Sequence, residues 1–558
     1  MSETGAEDRP QAPGEPSVVG SSAVMAAGTV LSRLSGFVRT SLLAAALGTG
    51  LHADIFNVAN TLPNMLYILL AGGVFNAVLV PQLVRAIRND ADGGEAYTNR
   101  VITLAALFLT AVTVLLVIAA PLVMRVLVNP QYFTHDFAAE RASMIAFARY
   151  CLPQVFFYGM FVLVGQVLNA RRSFGPMMWA PIANNVISVF VIVLYLLTIG
   201  TASKAEQAGP YTSGAEALLG IGSTLGIAIQ FLILVPYLKR SGFRFRPRFD
   251  FRHSGLGHTL RLAIWTVLFV VVNQVAYTVV VRLASGGTAA GSDGTGYTVY
   301  SNAFLLVMVP HSIITVSLAT AVLPRLSGYA AAGDLRALAA SVNATMRSTF
   351  ALVLPVLALI PVVAPDLVSL VWAYGSAAHS ANDFVPSVSL FSIGLFFFTS
   401  HYLVLRGFYA LEQNRRVFWI QCVVSAVNIV AAIALTRHIA PVDTAPRLVV
   451  AYAISYAVGA AVSFRQLSVQ TRGLGGRDLV RFAVRIAVVV AIAAGLALLT
   501  RLGLEQVLDG TDKLAVLVRL ALVGGVGMGS YLVLARLFRL TEVTEVTQIV
   551  TDRIRPKR

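Results

Sequence analysis

The sequence predicts an all-α polytopic membrane protein with about fourteen transmembrane helices. Hydrophobic residues fill 57% of its 558 positions and charged residues only 12%, against about 25% charged residues in a soluble domain. A chain this apolar cannot cover a globule of its size with polar side chains. Its apolar residues also form runs of roughly 20 residues, the length that a helix needs to cross about 30 Å of hydrocarbon.

The apolar runs follow one another along the chain with short gaps between them. They cover residues 19–47, 55–83, 101–127, 144–169, 176–199, 217–238, 260–284, 299–323, 350–372, 385–411, 417–439, 448–464, 479–499 and 514–537. The segment before them, 1–18, is rich in Gly, Pro and acids. This composition predicts a disordered tail and not a signal peptide.

Lysine and arginine are concentrated in alternate gaps between the runs. The basic gaps include the linker 241–256, and the basic tail 541–558 follows the last run. Because basic loops stay on the inner side of a membrane, both termini are predicted to be cytoplasmic, in a multi-pass protein of the plasma membrane. The net charge of +16 is then explained by orientation and anionic headgroups, and nucleic-acid binding is not expected.

Two features recur at one offset and indicate an internal repeat. Pro81 and Pro324 lie at the ends of the second and eighth runs, Asn185 and Asn428 lie in the fifth and eleventh, and each pair is 243 residues apart. The offset predicts two six-helix lobes of the same orientation, 19–240 and 257–468, around a central substrate cavity. The last two runs, within 469–540, are then an addition.

The first run carries arginines on a polar face. At 100° per residue, Ser32, Arg33, Gly36, Arg39 and Thr40 share an arc of about 120°. An arginine near mid-membrane costs about 2.5 to 3.5 kcal/mol on insertion scales and usually faces a cavity or a partner. Arg33 and Arg39 are therefore candidate substrate-binding residues, and Gly36 is a candidate hinge. The alternative for Arg39 is that it reaches an interface or pairs with an acid.

The second run carries a complementary polar face. Asp54, Asn57, Thr61 and Asn64 share an arc of about 80° and predict one wall of the cavity. Pro63 predicts a kink there. Hydrogen bonding between packed helices is the alternative explanation of this face.

Weaker candidates lie in the later runs: Asn273, Gln274, His311 and Asn428. His311 follows Pro310 and is either a proton carrier or a packing histidine. The sequence contains no Walker loop, HExxH, GxSxG or Asp-rich metal motif, so an ATPase, a hydrolase, a metal site and a cofactor are not expected.

Several of these residues also carry a family resemblance. Ser32–Arg39, Ala53-Asp54, Pro63-Asn64 and Phe75–Pro81 together resemble the signature of the MurJ (MviN) lipid II flippases, most closely in actinobacterial versions. These flippases belong to the multidrug, oligosaccharidyl-lipid and polysaccharide exporter superfamily. The resemblance implies fourteen spans, a cationic cavity between two lobes, and a groove for the polyprenyl tail in the last two spans. It also implies a monomer whose partners are lipid II, membrane lipids and cell-wall synthesis or division proteins.

The chain departs from the family pattern at several positions. Tyr67 and Leu305 stand where many members have arginine, and Gly72 stands where an acid is common. The resemblance then implies a less cationic cavity. Asn273 and Asn428 stand where sodium-binding members have acids, so sodium coupling is not expected.

The expected function is movement of lipid II, the undecaprenyl-pyrophosphate-linked peptidoglycan precursor, to the outer leaflet by alternating access, without a covalent step. Arginines suit its pyrophosphate, and amides suit its sugars. Export of a drug or another polyprenyl-linked glycan is the alternative within transport. A glycosyltransferase would need carboxylates in a large loop, and a cell-wall scaffold would not need the cavity arginines.

Overall fold

The computed structural model describes residues 18–69, 83, 86, 92–171, 173, 175–250, 256–291, 293–508 and 512–543. The predictions for residues 1–17 of the acidic tail, for Gly72, for Pro81 and for the basic tail from residue 544 lie outside these residues. The described residues form α-helices and connecting turns, without a β-strand. The predicted all-α class is confirmed.

A helix lies at each of the fourteen predicted runs. The helices are α1 Val18–Leu47, α2 Leu51–Ile68, α3 Glu95–Ile118, α4 Ala138–Ala170, α5 Gly175–Thr198, α6 Ser213–Arg240, α7 Leu256–Ala290, α8 Tyr297–Ala331, α9 Leu335–Trp372, α10 Phe384–Ala410, α11 Asn414–Leu435, α12 Thr444–Gln470, α13 Gly476–Val507 and α14 Lys513–Leu537. Twelve of the described helices, α3 to α14, are long and apolar enough to cross a membrane. α1 and α2 are not among these twelve helices, so the count of fourteen crossings stays a prediction.

Three of these helices are irregular in mid-course. α4 is interrupted by a turn at Leu152 and Pro153, and α6 by a turn at Ile233. α8 widens into a π-helical turn over His311–Thr315, directly after Pro310. Proline has no N–H to donate and its ring crowds the carbonyl one turn earlier, which removes a hydrogen bond from the ladder and favours such irregularities in α4 and α8.

The two halves of the chain arrange their helices in the same way. In the first half α1 packs on α5, α5 on α6, α4 on α6, and α2 on α4. In the second half α7 packs on α11, α11 on α12, α10 on α12, and α8 on α10. The first six helices form an N-lobe and the next six a C-lobe, while α13 and α14 pack on α9.

The described apolar residues form one core shared by both lobes and three smaller cores, the smallest of which joins Leu359 of α9 to Ala497 of α13 and Val523 of α14. The shared core contains residues of both lobes, such as Phe56 and Phe147 with Trp372 and Phe384. It lies where α2 and α8 begin, which is the outer end on the predicted orientation. At the inner end each lobe has its own core, one around Phe161 and others of the N-lobe, and one that the C-lobe shares with α13 and α14. Among the described residues, the lobes are therefore joined at the outer end, and no apolar core shared by the two lobes lies at the inner end.

A buried ion cluster fastens α13 and α14 to the C-lobe. Asp366 of α9 is buried, and Arg519 of α14 donates from Nε to its Oδ1 at 2.7 Å. Arg501 of α13 lies 3.9 Å from its Oδ2. Lys513 at the start of α14 donates to the carbonyl of Ser369 at 2.7 Å. The helix pair α13 and α14 is thus held against α9 near the outer end by ion pairs as well as by apolar contacts.

The ion cluster predicts a large effect of one conservative substitution. Asp366→Asn should lower the free energy of unfolding by about 3 to 5 kcal/mol, because it leaves the partly buried Arg519 without its carboxylate and Arg501 with Glu505 alone. The measurement is thermal unfolding of the purified protein in nanodiscs. The control is Asp478→Asn, which removes an exposed carboxylate 4.0 Å from Arg481 and should change stability by less than about 1 kcal/mol. Equal shifts in both variants would contradict a stabilising role of the cluster.

Candidate functional site

The predicted polar face of α2 meets the first turn of α8 across the boundary between the lobes. Asp54 is fully buried. Its carboxylate accepts hydrogen bonds from the backbone N–H groups of Thr298 at 2.7 Å and Tyr297 at 3.0 Å, and from the hydroxyl of Thr288 in α7 at 2.8 Å. The first N–H groups of a helix have no partner within it and carry partial positive charge. Asp54 therefore caps a helix of the opposite lobe.

This close approach depends on the residue before α8. A Cβ added at Gly296 would lie 1.9 Å from Oδ2 of Asp54. Such a distance is far inside van der Waals contact, so a larger residue would displace the carboxylate. The carboxylate and the glycine together set how near α2 lies to α8.

The interlobe contact continues along the same face of α2. Asn57 donates from Nδ2 to the hydroxyl of Thr298 at 2.9 Å. One turn further on, the hydroxyl of Thr61 pairs with that of Tyr297, which also pairs with that of Tyr277 in α7 at 2.9 Å. Three of the four predicted residues thus join the lobes in this conformation and do not line an open space.

The remaining residues of that stretch lie near the end of the contact. Pro63 is buried within α2, whereas Asn64 is exposed, with no side-chain hydrogen bond to a described residue. Gln274 of α7 donates from Nε2 to the carbonyl of Met65 at 3.1 Å. Among the described residues, this is the innermost hydrogen bond between the lobes. Side-chain bonding between the lobes therefore runs from the outer loops, where Thr49 donates to Ser380 at 2.7 Å, to Met65 in the last turn of α2.

The arginines of α1 lie away from this contact. Arg33 is exposed, Arg39 is half-buried, and neither forms a hydrogen bond or ion pair with a residue that the structure describes. The neighbouring polar residues have a packing role, since Asn185 of α5 donates to the carbonyl of Ser32 at 3.0 Å and to the hydroxyl of Ser35 at 2.8 Å. The face with the two serines thus packs on α5, and neither guanidinium group is bonded to a residue that the structure describes.

Gly36 and Tyr67 lie beside these arginines in the N-lobe. A Cβ at Gly36 would lie 3.7 Å from Nδ2 of Asn185, an ordinary contact distance, so the glycine lets α1 and α5 approach without being essential to it. Tyr67, which replaces an expected arginine, stacks near Tyr158 with ring centroids 4.7 Å apart. Arg39 interacts electrostatically with Tyr158. The wall beside Arg39 is therefore aromatic.

Three of the four weaker candidates are bonded within the C-lobe, and Gln274, which donates to Met65 of the N-lobe, is the exception. Asn273 accepts a long hydrogen bond from Gln421 at 3.5 Å, and Asn428 donates to Ser455 at 3.3 Å. His311 is buried and pairs through Nδ1 with the hydroxyl of Thr399 at 2.8 Å. These side chains connect α7, α8, α10, α11 and α12, and the structure does not bring them together with Arg33 or Arg39.

The described side chains of this site are suited to binding. Asp54 is occupied by three donors, which leaves it poorly placed to act as a base. No group of three or more His, Cys, Asp or Glu side chains that could hold a metal ion occurs in the part of the chain that the structure describes. Two guanidinium groups beside amides and aromatic rings suit an anionic ligand with polar substituents.

Comparisons with known proteins agree on one family. The family model "Lipid II flippase MurJ" matches residues 43–508, so Arg33 and Arg39 precede the matched segment. The "Probable lipid II flippase MurJ" of Rhizobium meliloti is 26% identical over 473 residues, which cover 83% of this chain and 82% of the relative.

Solved structures show the same fold. The structure "Lipid II flippase MurJ, inward closed conformation" has a TM-score of 0.71 at 17% identity and covers 92% of this chain and 98% of its own. A multidrug resistance MATE family transporter of the MOP superfamily, in an inward-facing conformation, has a TM-score of 0.62 at 14% identity and covers 81% of this chain and 99% of its own.

Removal of the Asp54 carboxylate is expected to open the outer end. In a background with Cys151→Ala and Cys422→Ala, spin labels at Lys204→Cys and His379→Cys would report the distance between the outer loops of the two lobes. Adding Asp54→Ala should increase the population of long distances about tenfold or more, because each hydrogen bond to a charged group contributes about 1.5 to 3 kcal/mol.

The matched control for this measurement is Asp443→Asn. Asp443 is an exposed carboxylate at the same end of the molecule, and its loss should leave the distance distribution unchanged. An unchanged distribution in the Asp54→Ala protein would show that the shared apolar core alone closes the outer end.

Proposed function

We propose, from the premise that this chain belongs to the MurJ family of lipid II flippases, that it carries lipid II across the plasma membrane by alternating access of its two lobes. The observation that supports this mechanism is the asymmetry of the cores. The lobes share a core and a hydrogen-bond network at the outer end, while each has its own core at the inner end. Such an arrangement suits a cleft that opens inward, toward the side on which lipid II is made.

The headgroup contacts are proposed to begin at α1. Arg33 and Arg39 are the guanidinium groups free to bind pyrophosphate, and a guanidinium holds two phosphate oxygens at once. Asn64 is exposed on α2 and can donate to sugar or peptide groups. Binding of this kind moves the headgroup without making or breaking a covalent bond.

The polyprenyl tail is proposed to follow α13 and α14, within 469–540. Along α13 the exposed apolar residues recur every fourth position, which makes one continuous stripe on a helix: Val480, Val484, Val488, Ile492 and Leu496. A tail lying on this stripe stays in lipid while the headgroup passes between the lobes, 19–240 and 257–468.

The Asp54 network is proposed to be the outer gate. To release the headgroup outside, α2 must leave α8, and the carboxylate must exchange its three donors for water or ligand. The gate therefore opens only when water or a ligand replaces these donors, because a buried charge without donors is strongly unfavourable.

Two other functions make different demands on the same residues. An exporter of cationic drugs would present carboxylates to its cleft, whereas Asp54 is buried and the exposed groups of α1 include Arg33. A scaffold of the cell-wall machinery would tolerate loss of both arginines.

We further propose that both termini are cytoplasmic, that the protein acts as a monomer, and that its contacts include membrane lipids and cell-wall synthesis proteins.

The function is tested by depleting the protein in its host and measuring lipid II on the outer face with an enzyme added outside. Outer lipid II should fall while total lipid II rises. In the depleted cells, neither Arg33→Ala nor Arg39→Ala should restore outer lipid II. Each variant, at normal protein abundance, should lower the rate of flipping about 10- to 100-fold, since each loses a hydrogen bond of about 1.5 to 3 kcal/mol to a charged group.

The control variant is Arg437→Ala, which removes an exposed arginine from the loop between α11 and α12 and should restore outer lipid II fully. Normal outer lipid II during depletion would contradict the flippase function itself. Full rescue by both α1 variants would contradict only the proposed role of these two arginines.

Flipping is expected to depend on membrane potential and not on sodium. Oδ1 of Asn273 accepts from Gln421, whereas Asn428 donates to Ser455 through its amide nitrogen and keeps one unbonded neutral oxygen, Oδ1. A sodium site needs several oxygen ligands, preferably carboxylates. Moving one charge through the field is worth about 2.3 kcal/mol per 100 mV.

The measurement replaces sodium with another monovalent cation at constant potential, and then collapses the potential with an ionophore at constant sodium. The first change should leave the rate of flipping unaltered, and the second should reduce it by about tenfold or more. A rate that falls without sodium but survives loss of potential would refute this proposal.

A further inference from the structure

The segment that leaves the N-lobe after α6 crosses the inner end of α3. We call residues Phe243–Asp250 the basic strap. The N–H of Arg246 donates to Oδ1 of Asn99 at 2.8 Å, and that of Arg248 donates to the hydroxyl of Thr103 at 3.1 Å. The two acceptors are four residues apart on a helix, a rise of about 6 Å. Two residues of extended chain span about 6.6 Å, so the strap and the helix match in spacing.

Both ends of the basic strap are fastened to the N-lobe. Phe243 is buried in the inner core of that lobe. At the other end, Nε of Arg100 donates to Oδ2 of Asp250 at 2.8 Å. This hydrogen bond with the guanidinium lowers the pKa of Asp250, so the carboxylate stays ionised at neutral pH. The strap is therefore held in place as part of the N-lobe.

The strap presents alternating basic and aromatic side chains on its surface. Arg244, Arg246 and Arg248 are all exposed. Phe245 is 47% exposed and Phe249 is 67% exposed. Exposed phenylalanines next to arginines are typical of segments that lie in the interface of a membrane, where the rings enter the headgroup region and the cations stay at phosphate level.

The strap lies beside the inner end of α3, where the apolar run of that helix begins. Of its acceptors, Asn99 precedes the run 101–127 and Thr103 lies at its start. α3 has 24 residues and is about 36 Å long, so its first turn extends beyond about 30 Å of hydrocarbon. This position favours lipid phosphate as the anion that the exposed face of the strap meets.

We propose that the basic strap is a binding surface for anionic phospholipids of the inner leaflet. Arg244, Arg246 and Arg248 contact the phosphates, and Phe245 and Phe249 enter the headgroup region beside α3. The inference does not rest on lipid II transport, because it concerns the outside of the N-lobe and not the cleft. It therefore stands or fails separately from the proposed function.

The test places a fluorescent label at Phe245→Cys in the full-length protein with Cys151→Ala and Cys422→Ala, reconstituted in nanodiscs. The probe lipids are brominated phosphatidylglycerol and brominated phosphatidylcholine, which quench the label on contact. Phosphatidylglycerol should reach half-maximal quenching at a mole fraction at least about fivefold lower than phosphatidylcholine, since one juxtamembrane arginine contributes about that preference.

Two control variants locate the effect. Arg244→Gln/Arg246→Gln/Arg248→Gln should abolish the preference for phosphatidylglycerol. The matched triple variant, Arg472→Gln/Arg477→Gln/Arg481→Gln, removes three exposed arginines from the loop before α13 and from its first turns and should retain it.

Three results would overturn the proposal. Equal quenching by both lipids would mean that the strap touches the bilayer without selecting anions. Quenching by neither lipid would place the strap away from the bilayer and favour an acidic soluble partner. Equal loss of preference in both triple variants would assign it to overall charge and not to the strap.

Discussion

The buried carboxylate of Asp54 sets the arrangement of the two lobes. Its three hydrogen-bond donors belong to α7 and α8 of the C-lobe, so it is satisfied only while the lobes are together. A buried charge without donors costs far more than an ordinary lost contact. The network formed by Asn57 and Thr61 runs down the same face of α2, and the shared apolar core surrounds it. The closed outer end therefore depends on one ionised group and on the dipole of the helix that it caps.

The distribution of apolar cores explains why only one end needs such a group. At the inner end each lobe buries its own apolar side chains, so the lobes can be apart there without exposing a common core. At the outer end separation would uncover shared surface around Phe56 and Trp372. A ligand can favour the separated state only by the difference between its affinities for the two states. Substrate can thus drive opening only through contacts that exist in the open state and not in the closed state.

The sequence predicted the helices well because length and apolarity decide which segments can cross a membrane, and it identified the polar face of α2 from helical spacing. It did not identify the partner of that face. Thr288, Tyr297 and Thr298 lie more than 200 residues away, and a backbone N–H at a helix start has no side-chain signature. In the sequence Asn185 marks only the repeat, whereas the structure shows it bonded to Ser32 and Ser35. For a residue whose role depends on the other lobe, the sequence shows the residue type and its helical face but does not identify the residues that it contacts.

The absence of a side chain at Gly296 also limits how this protein can change over generations. A Cβ there would lie 1.9 Å from Oδ2 of Asp54, so a mutation of the glycine is acceptable only if the aspartate is shortened or lost. If Asp54 is lost first, the protein that carries only this mutation has no carboxylate to cap α8. Neither single step is neutral, and the two positions should be inherited as a pair, which is the pattern by which contacting residues co-vary.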